Sequence, residues 1–428
     1  MKEQKLFWTP LDNAAKIFPA IRSKELTTVM RLSAILNERV TISCLLRAVE
    51  RAEKRFPYFK VTLRRGFFWY FLEQVDDSIC IGHDKGLPCR AFDMKNGNKR
   101  LLRILVHNNR LSIECSHILT DGYGLLTFLR TLLIYYFEEK GVLLTNRMDD
   151  YMPSDVDEQE YEDAYNRYFK GPIISLINKS KAFHLPYPLK RKPRFDLLYA
   201  ILPMDQLKQK AAEKSVSITD YLVALYLYVL QDIYFEKDKK KRISNRHKIA
   251  RIQVPINLRS IYPTKTLRNF SLFVMPEVDF RMGEYTFDEL LKTVYHTMRL
   301  ETDEKHISKI ISRNVGSERN PFVRGIPIWL KSLLLYLKYY SEGTNQYSGV
   351  VSNLGKIELP EPIRNKIDYF IVTPPPPNKK LKLNCGVIGY GEKLVLSFGN
   401  ITITRDFERR YLCILASQGI HIRITSKS

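Results

Sequence analysis

Two spacings of apolar residues alternate along the first half of the chain. The three-and-four spacing of an amphipathic helix occupies residues 34–56 and 122–140. Short apolar segments bounded by turn residues, which are typical of strands, lie at 59–63, 67–72, 101–107 and 111–117. Because Asn108 and Asn109 favour a tight turn between the last two segments, we predict a hairpin that leads directly into the helix from residue 122.

The second half shows the same alternation. Residues 204–235 predict two helices separated at 215–219, where Thr219 or Asp220 would cap the second helix. Further helical spacing lies at 287–300 and 328–340, and β-branched strand segments lie at 249–256, 272–280, 383–388 and 394–404. Strands and helices therefore alternate in both halves, which predicts a mixed α/β protein with two lobes of similar content.

The boundary between the lobes is marked by charge runs and prolines. Residues 149–163 hold eight acidic residues and no basic one, whereas four of the five residues at 190–194 are basic. Solvated connecting segments commonly carry such runs. We therefore predict an N-terminal lobe over residues 1–175 and a C-terminal lobe over residues 190–428.

Composition excludes several classes of protein. The 428 residues are 45% hydrophobic and 27% charged, an ordinary globular mixture that differs from disordered and collagen-like chains. The longest uncharged apolar run, residues 221–230, is shorter than the ~18 residues of a membrane span. The N-terminal residues lack the apolar stretch of a signal peptide. We expect no transmembrane helix and a cytoplasmic location.

The cysteines and the charge balance limit the choice of ligands. The six cysteines show no CxxC spacing, so we expect reduced thiols and no metal site. The formal net charge of +22 suits an anionic partner: nucleic acid, an anionic membrane face or a polyphosphate ligand. Nucleic acid is not expected, because aromatic and basic residues do not interleave in a recognised RNA-binding motif. The basic run at 236–248 is either an anion site or a solvated loop between a helix and a strand.

One histidine stands at the end of a predicted strand and begins an HxxxDG motif. His117, Asp121 and Gly122 supply its fixed positions. An imidazole on a rigid strand end can project into a cleft and act as a general base for a hydroxyl or an amine. Asp121 can cap the helix that follows or pair with a distant arginine. The alternative is a structural histidine followed by an Asp-Gly turn, since three fixed residues make a short motif.

Together with its neighbours, the segment at 116–122 resembles the active-site segment of the chloramphenicol acetyltransferase-like superfamily. That superfamily includes condensation enzymes, plant acyl-CoA-dependent acyltransferases and alcohol O-acetyltransferases. Further segments match in the same order, at 11–19 (LDNAAKIFP), 254–259 (VPINLR), 267–271 (LRNFS) and 351–355 (VSNLG). The resemblance covers nearly the whole chain, and its opening segment is most similar to bacterial alcohol acetyltransferase-like proteins.

The resemblance implies two α/β lobes related by a rough two-fold axis, with a solvent channel between them. It also implies that His117 takes the proton from an acceptor as the acceptor attacks an acyl thioester, without a covalent acyl-enzyme. Asp121 is expected to turn away from the channel and pair with Arg259. Candidates for stabilising the oxyanion or lining the channel are Ser271, Ser352 and Asn353. Each of these three is equally well explained as a polar strand-end residue bonded to backbone.

The sequence departs from the family pattern at two places. Many members carry a second histidine before the catalytic one, where this chain has Ser116. The Asp-Phe-Gly-Trp-Gly segment of the plant enzymes is not found, which argues against that branch. No carrier-protein or adenylation segment is recognised, so we expect a free-standing enzyme rather than a module of a peptide synthetase.

The function predicted from this resemblance is O-acyl transfer from acyl-CoA, most simply acetyl-CoA, to a small or lipophilic alcohol. Acyl-CoA would be a co-substrate, with no permanently bound cofactor, and Lys265, Arg268 and the basic run at 236–248 are candidates for its phosphates. A carrier-protein thioester as donor, or an amide as product, would keep the fold and change the chemistry. The alternative from another class is a non-catalytic basic protein that binds nucleic acid or an anionic membrane. We expect a monomer, as is common in this family.

Overall fold

The computed structural model describes residues 7–93, 100–144, 155–172, 179–239 and 247–426. Its strands are β1 (Trp8–Pro10), β2 (Val29–Leu36), β3 (Val61–Arg65), β4 (Tyr70–Gln74), β5 (Ile81–His83), β6 (Leu102–His107), β7 (Arg110–Ser116), β8 (Asp196–Pro203), β9 (Ile249–Asn257), β10 (Ser271–Val274), β11 (Glu277–Asp279), β12 (Gly349–Ile357), β13 (Ile367–Thr373), β14 (Leu383–Tyr390), β15 (Lys393–Asn400) and β16 (Arg423–Ser426). Its α-helices are α1 (Phe18–Ile21), α2 (Ile42–Arg55), α3 (Gly122–Glu139), α4 (Ala164–Arg167), α5 (Met204–Glu213), α6 (Ile218–Lys239), α7 (Phe287–Glu301), α8 (Glu304–Arg319), α9 (Pro321–Gly325), α10 (Ile328–Lys338), α11 (Glu361–Arg364) and α12 (Asp406–Ser417). The predicted mixed α/β architecture is confirmed.

A five-stranded sheet in the order β13-β2-β7-β6-β5 organises the N-terminal half. The predicted hairpin is confirmed as β6 and β7, which pair antiparallel from Leu102↔Cys115 to His107↔Arg110. Helix α3 follows at once, and its residues 131–137 are all buried, as expected for a helix enclosed on every side. The strand that leads to His117 therefore runs through a packed core.

A larger mixed sheet organises the C-terminal half, in the order β10-β9-β12-β14-β15-β8-β16 with β11 paired to β9. Strand β12 runs parallel to β9 and β14, while β14, β15 and β8 are antiparallel to one another in turn. Helix α6 packs on this sheet and on α12, and its residues 221–227 are all buried. A small third sheet has the order β1-β4-β3.

One strand of the second half belongs to the sheet of the first. Strand β13 pairs antiparallel with β2, from Ile367↔Leu36 to Thr373↔Arg31. It also packs against β14 and β15 of the larger sheet. The division into residues 1–175 and 190–428 stays a prediction, and β13 crosses it.

Several local predictions are wrong. The single strand predicted at 272–280 is two strands, β10 and β11, which both pair with β9, and the strand predicted at 67–72 begins at Tyr70. Residues 34–36 belong to β2 rather than to a helix, and α2 begins at Ile42. Strand β2 is buried along almost its whole length, so it lacks the polar alternation by which a half-exposed strand is recognised. The cap of α6 is Ser217 rather than Thr219 or Asp220, since Ser217 Oγ accepts from Asp220 N at 3.1 Å.

No single helix in the described ranges is long and apolar enough to span a membrane. Helices α5 and α6 reach that length and composition only together, and they are bent by 81° at the break between them. The six cysteines are unbonded, and four of them are buried.

Candidate active site

His117 lies directly after strand β7. Its backbone N–H donates to Thr28 O at 2.9 Å, which ties it to the start of β2. Its ring stacks on Phe18, with centroids 5.3 Å apart and planes inclined by 27°. The tied backbone and the stacked ring restrain the imidazole on a rigid strand end, as a proton-transferring group requires.

The surroundings of His117 favour its neutral form. Burial lowers the pKa of the imidazole below its ordinary value of 6.5, because the charged form loses solvation. The charge of Asp121 and contacts with Asn269 and the Thr120 backbone act in the opposite direction, but burial dominates. A neutral imidazole near physiological pH is able to accept a proton.

Asp121 caps helix α3 and also binds the second half of the chain. Its Oδ1 accepts from Gly124 N at 3.1 Å, which is the N-cap bond. Arg259 Nη1 lies 2.9 Å from Oδ2, and Phe270 N donates to the same oxygen at 2.9 Å. The two side chains of the ion pair are 6% and 7% exposed. The expected pairing with Arg259 is therefore present, and the helix cap, the other role left open by the sequence, is present as well.

The guanidinium of Arg259 is committed to structure on several sides. Its Nε donates to Thr266 O at 2.8 Å, and its Nη2 donates to Arg268 O at 2.6 Å. The ring of Tyr123 covers the guanidinium, with its centroid 4.4 Å away. Arg259 thus fastens the loop at 266–270 to the start of α3.

Two glycines let α3 begin in close contact with other segments. A Cβ at Gly122 would lie 2.6 Å from Leu354 Cδ2, so the segment at 351–355 lies against the motif. A Cβ at Gly124 would lie 2.1 Å from both Leu267 O and Thr120 Oγ1. Backbone cannot give way as a leucine side chain can, so the tighter constraint falls on Gly124, which lies outside the six-residue motif.

Asn269 connects His117 to the N-terminal segment. Its Nδ2 donates to His117 O at 3.0 Å and to Asp12 Oδ2 at 3.1 Å. Asp12 is fully buried, and burial raises the pKa of its carboxyl to about 6, although the charge of Arg268 opposes the shift. The segments at 11–19, 116–122 and 267–271 therefore meet at the backbone of His117.

The three oxyanion candidates lie in two strands of the larger sheet. Ser271 begins β10 and Ser352 lies within β12, and both are partly buried. Asn353 follows in β12, where its Nδ2 donates to Thr219 Oγ1 at 2.9 Å and its Oδ1 accepts from Gly355 N at 2.8 Å. The amide of Asn353 thus holds an irregular part of the strand, and an oxyanion role for any of the three stays a prediction.

The two phosphate candidates differ in exposure. Lys265 is 66% exposed, and its Nζ lies 2.7 Å from Asp157 Oδ2. Arg268 is 5% exposed, its Nη2 donates to Pro10 O at 2.6 Å, and its Nε lies 3.5 Å from Asp12 Oδ2. Arg268 is therefore a packing residue of the site rather than a solvent-facing phosphate ligand. In the basic run at 236–248, positions 240–246 lie outside the described residues.

The expected channel to His117 stays a prediction. An opening of about 570 Å³ does lie between the two large sheets, lined by residues that include Arg110, Tyr199, Tyr369 and Arg423. It is at the other end of β7, about 20 Å from His117 at the usual rise of a strand. Among the side chains described, no group of three or more His, Cys, Asp or Glu is placed to hold a metal ion.

Sequence reasoning did not assign roles to Asp12, Phe18, Gly124 and Asn269. Asp12, Phe18 and Asn269 lie inside segments that carry the family resemblance, but the sequence does not show which groups they contact. Gly124 has a weaker signal, a second glycine within the first turn of a helix that is otherwise rich in large apolar residues.

The fold is shared with solved structures, although no protein-family model matches the chain and no curated protein matches its sequence. TRI101 of F. graminearum, solved with coenzyme A and T-2 mycotoxin, matches with a TM-score of 0.59 at 11% identity, over 97% of this chain and 99% of its own. Polyketide synthase associated protein 5 from Mycobacterium tuberculosis matches with a TM-score of 0.56 at 12% identity, over 96% and 98%. The epimerization domain from the third module of tyrocidine synthetase B matches with a TM-score of 0.56 at 12% identity, over 96% and 97%. The two-lobed fold implied by the family resemblance is confirmed.

Proposed function

We propose that this protein transfers an acyl group from acyl-CoA to a hydroxyl acceptor, with His117 as the general base. The observation that carries the proposal is the setting of His117, a neutral imidazole on a strand end. Thr28 binds its backbone N–H, Asn269 binds its carbonyl, and Phe18 covers one face of its ring. A fold shared with TRI101, which was solved with coenzyme A and T-2 mycotoxin, supports a CoA thioester as the co-substrate.

In the proposed reaction, His117 accepts the proton of the acceptor hydroxyl while that oxygen attacks the thioester carbonyl. A C–O bond forms, and the carbonyl becomes a tetrahedral oxyanion. Its collapse breaks the C–S bond, and the thiolate of CoA receives the proton back from the imidazolium. The products are an ester and a free thiol, so the histidine returns to its starting state without a covalent acyl-enzyme.

The carboxylate of the HxxxDG motif has a positioning role in this proposal. Asp121 is bound to Arg259, Phe270 and Gly124, so its oxygens are already occupied by donors. Its charge raises the pKa of His117 against the effect of burial. A donor to the oxyanion would be worth roughly 3 to 4 kcal/mol, and Ser271 and Ser352 are the candidates we retain first, because the Asn353 amide already has partners.

The positive net charge of the chain supports acyl-CoA as the acyl donor. The formal net charge of +22 suits the phosphates of acyl-CoA, and Lys265 is an exposed cation on the loop that follows Arg259. Acetyl-CoA is the simplest donor and an alcohol the simplest acceptor. The fold match with a domain of a peptide synthetase supports the alternative, a thioester held on a carrier protein.

The experiment is a thiol-release assay with acyl-CoAs of increasing chain length, matched acyl-pantetheines and a panel of alcohols and amines. We expect alcohol-dependent release of CoA, with the ester identified by mass spectrometry. The KM for acyl-CoA should rise with salt, since screening acts over ~10 Å at 0.1 M, and acyl-pantetheine should lack this dependence. Folded protein that releases no thiol with any acceptor would contradict the proposal, and an equal salt response of the two donors would favour a carrier-bound thioester.

A further inference from the structure

Helices α9 and α10 and the turn at residues 66–69 form one exposed apolar surface, which we call the α10 surface. Its most prominent side chains are Phe67, Phe322, Trp329, Leu333, Tyr336 and Leu337, which are between 44% and 87% exposed. Along α10 the members recur at helical spacing, a pattern that in most helices faces a core. Apolar residues in such a contiguous group mark an interaction site more often than chance exposure does.

The α10 surface is held on a firm support. Ile328 N donates to Phe67 O at 2.9 Å, so the helix begins against the turn. Lys331 is only 5% exposed, and its ammonium donates to Phe68 O at 3.2 Å and lies 3.5 Å from the centroid of the Trp69 ring. A buried ammonium bound by carbonyl and ring fixes helix and turn together. The exposed side chains therefore project from a fixed base rather than from a loose segment.

The charges around the α10 surface are mostly positive, and the neighbouring carboxylates of Glu318 and Glu73 are paired with Lys16 and Arg64. Residues 319–341 contain four basic residues and no acidic one, and residues 64–72 contain two basic residues and no acidic one. Arg65, Arg324 and Lys338 are exposed beside the apolar side chains. Two segments that are more than 240 residues apart thus contribute the same combination, aromatic and aliphatic side chains with positive charge.

We propose that the α10 surface binds an anionic lipid bilayer at the level of the headgroups. Trp, Phe and Leu on one face with Lys and Arg beside them are typical of helices that lie in the membrane interface. Tyr and Trp favour that interface because each has an apolar ring and one polar group. Two copies of this chain joined through the same surface would bring their positive rims together, which opposes dimerisation.

The surface lies one element away from the proposed base. Helix α1 packs against α10, and Phe18, its first residue, stacks on the ring of His117. An acceptor dissolved in a bilayer at the α10 surface would approach His117 past α1. This step rests on the proposed function, and it names the acceptor class as a membrane-held, long-chain alcohol.

Binding is tested by co-sedimentation of the full chain with phosphatidylcholine vesicles and with vesicles that also contain phosphatidylglycerol. We expect binding to the second kind only, weakening as salt is added. The double variant Trp329→Asp/Leu333→Asp should bind at least about tenfold more weakly, since two apolar side chains that would enter the bilayer are lost. Arg65→Gln/Arg324→Gln should reduce the preference for anionic vesicles while leaving the apolar side chains in place.

The matched control is Leu300→Asp/Ile403→Asp, which adds the same two charges at exposed apolar residues outside the α10 surface. These residues are 73% and 64% exposed, so the control should fold and bind vesicles as the unmodified protein does. Equal binding by the α10 variant and the unmodified protein, or equal binding to both kinds of vesicle, would overturn the proposal. A dimer in gel filtration that the α10 variant splits, without vesicle binding, would identify a second copy as the occupant instead.

Turnover separates this proposal from the proposed function. The α10 variant should esterify a water-soluble alcohol at the unmodified rate and a vesicle-held long-chain alcohol at least about tenfold more slowly, in line with its weaker binding. An equal loss on both alcohols would contradict the acceptor class. If no alcohol supports thiol release, the proposed function fails, and the vesicle experiment alone still decides whether the surface binds lipid.

Discussion

Two buried ion clusters lie on one short stretch of chain, the first on strand β7 and the second just after it. In the first, Glu114 is 1% exposed and binds Arg31 and Arg103. In the second, Asp121 is 5% exposed and binds Arg259. The partners of Glu114 come from β2 and β6, the strands on either side of its own, whereas Arg259 follows Asp121 by 138 residues.

The difference teaches that burial and ion pairing do not by themselves identify a functional site. The Glu114 cluster fastens strands that backbone hydrogen bonds already join. The Asp121 cluster joins two segments that lie far apart in the chain, and those segments carry His117 and Asn269. We therefore expect the first cluster to serve stability and the second to serve both stability and the position of the base.

Removing the proposed base should have the largest effect, because it acts on chemistry and leaves both clusters intact. His117→Ala should lower turnover by roughly 10² to 10⁴, measured as thiol release. The lost stacking on Phe18 should cost no more than about 1.5 kcal/mol of unfolding free energy. His107→Ala is the matched control, since His107 is exposed at the other end of the same hairpin. Unmodified turnover in a folded His117→Ala protein would show that the histidine is structural.

Breaking the two clusters one at a time tests the comparison directly. Asp121→Ala leaves the buried charge of Arg259 without its carboxylate, so it should cost about 3 to 5 kcal/mol of unfolding free energy, measured by urea denaturation. Glu114→Ala should cost less, because Asp84 still binds Arg31. The milder variants Glu114→Gln and Asp121→Asn should differ in turnover. Asp121→Asn should lower kcat with little change in KM, and Glu114→Gln should leave both unchanged. Equal losses of kcat in the two would end the distinction between the clusters.

The sequence predicted what is local and missed what depends on distant partners. The hairpin and α3 follow from neighbouring residues, and both are confirmed. Strand β13 is not predicted from sequence, because its partner β2 lies more than 330 residues earlier and no local pattern records that pairing. Arg268 is a candidate for phosphate binding from sequence because its charge is visible there, whereas its burial against Asp12 is not.

The site itself was recognised through resemblance rather than through pattern. HxxxDG alone left a structural histidine open, and only the family motif paired Asp121 with Arg259. No comparable motif marks Arg31, Asp84 and Glu114, whose cluster the sequence does not reveal although it is equally buried. The motif therefore identifies His117, Asp121 and Arg259 from sequence. The contacts of Asn269 and Phe18 with His117 are seen only in the structure.

A smaller effect is expected from replacing Asn269, whose amide donates to the carbonyl of His117. Asn269→Ala removes donors from Asp12 and from the His117 carbonyl, which should cost about 1 to 3 kcal/mol of unfolding free energy. It should also lower kcat, because the backbone of the base is less restrained. Asn400→Ala is the control, since Asn400 is equally buried and donates to Glu408 Oε1 at 2.7 Å and Thr404 O at 3.0 Å. A similar loss of kcat in the control would mean that instability alone explains the effect.

The smallest effect, and the sharpest distinction between the clusters, lies in the pH profile. Because burial lowers the pKa of His117 below 6.5, kcat/KM should fall only as the pH drops below 6.5, and it should be level above that value. In the interval between the folded pKa and 6.5 the unfolded chain binds the extra proton, so the contribution of His117 to stability increases with pH there.

The Asp121 charge raises the pKa of His117. Asp121→Asn should therefore displace the acidic limb to lower pH, whereas Glu114→Gln should leave it in place. The carboxyl of Asp12, with a pKa of about 6, titrates nearby, and a limb that persists in Asp12→Asn assigns it to His117. A limb that Asp121→Asn does not move would mean that this carboxylate acts only through the fold, as Glu114 does.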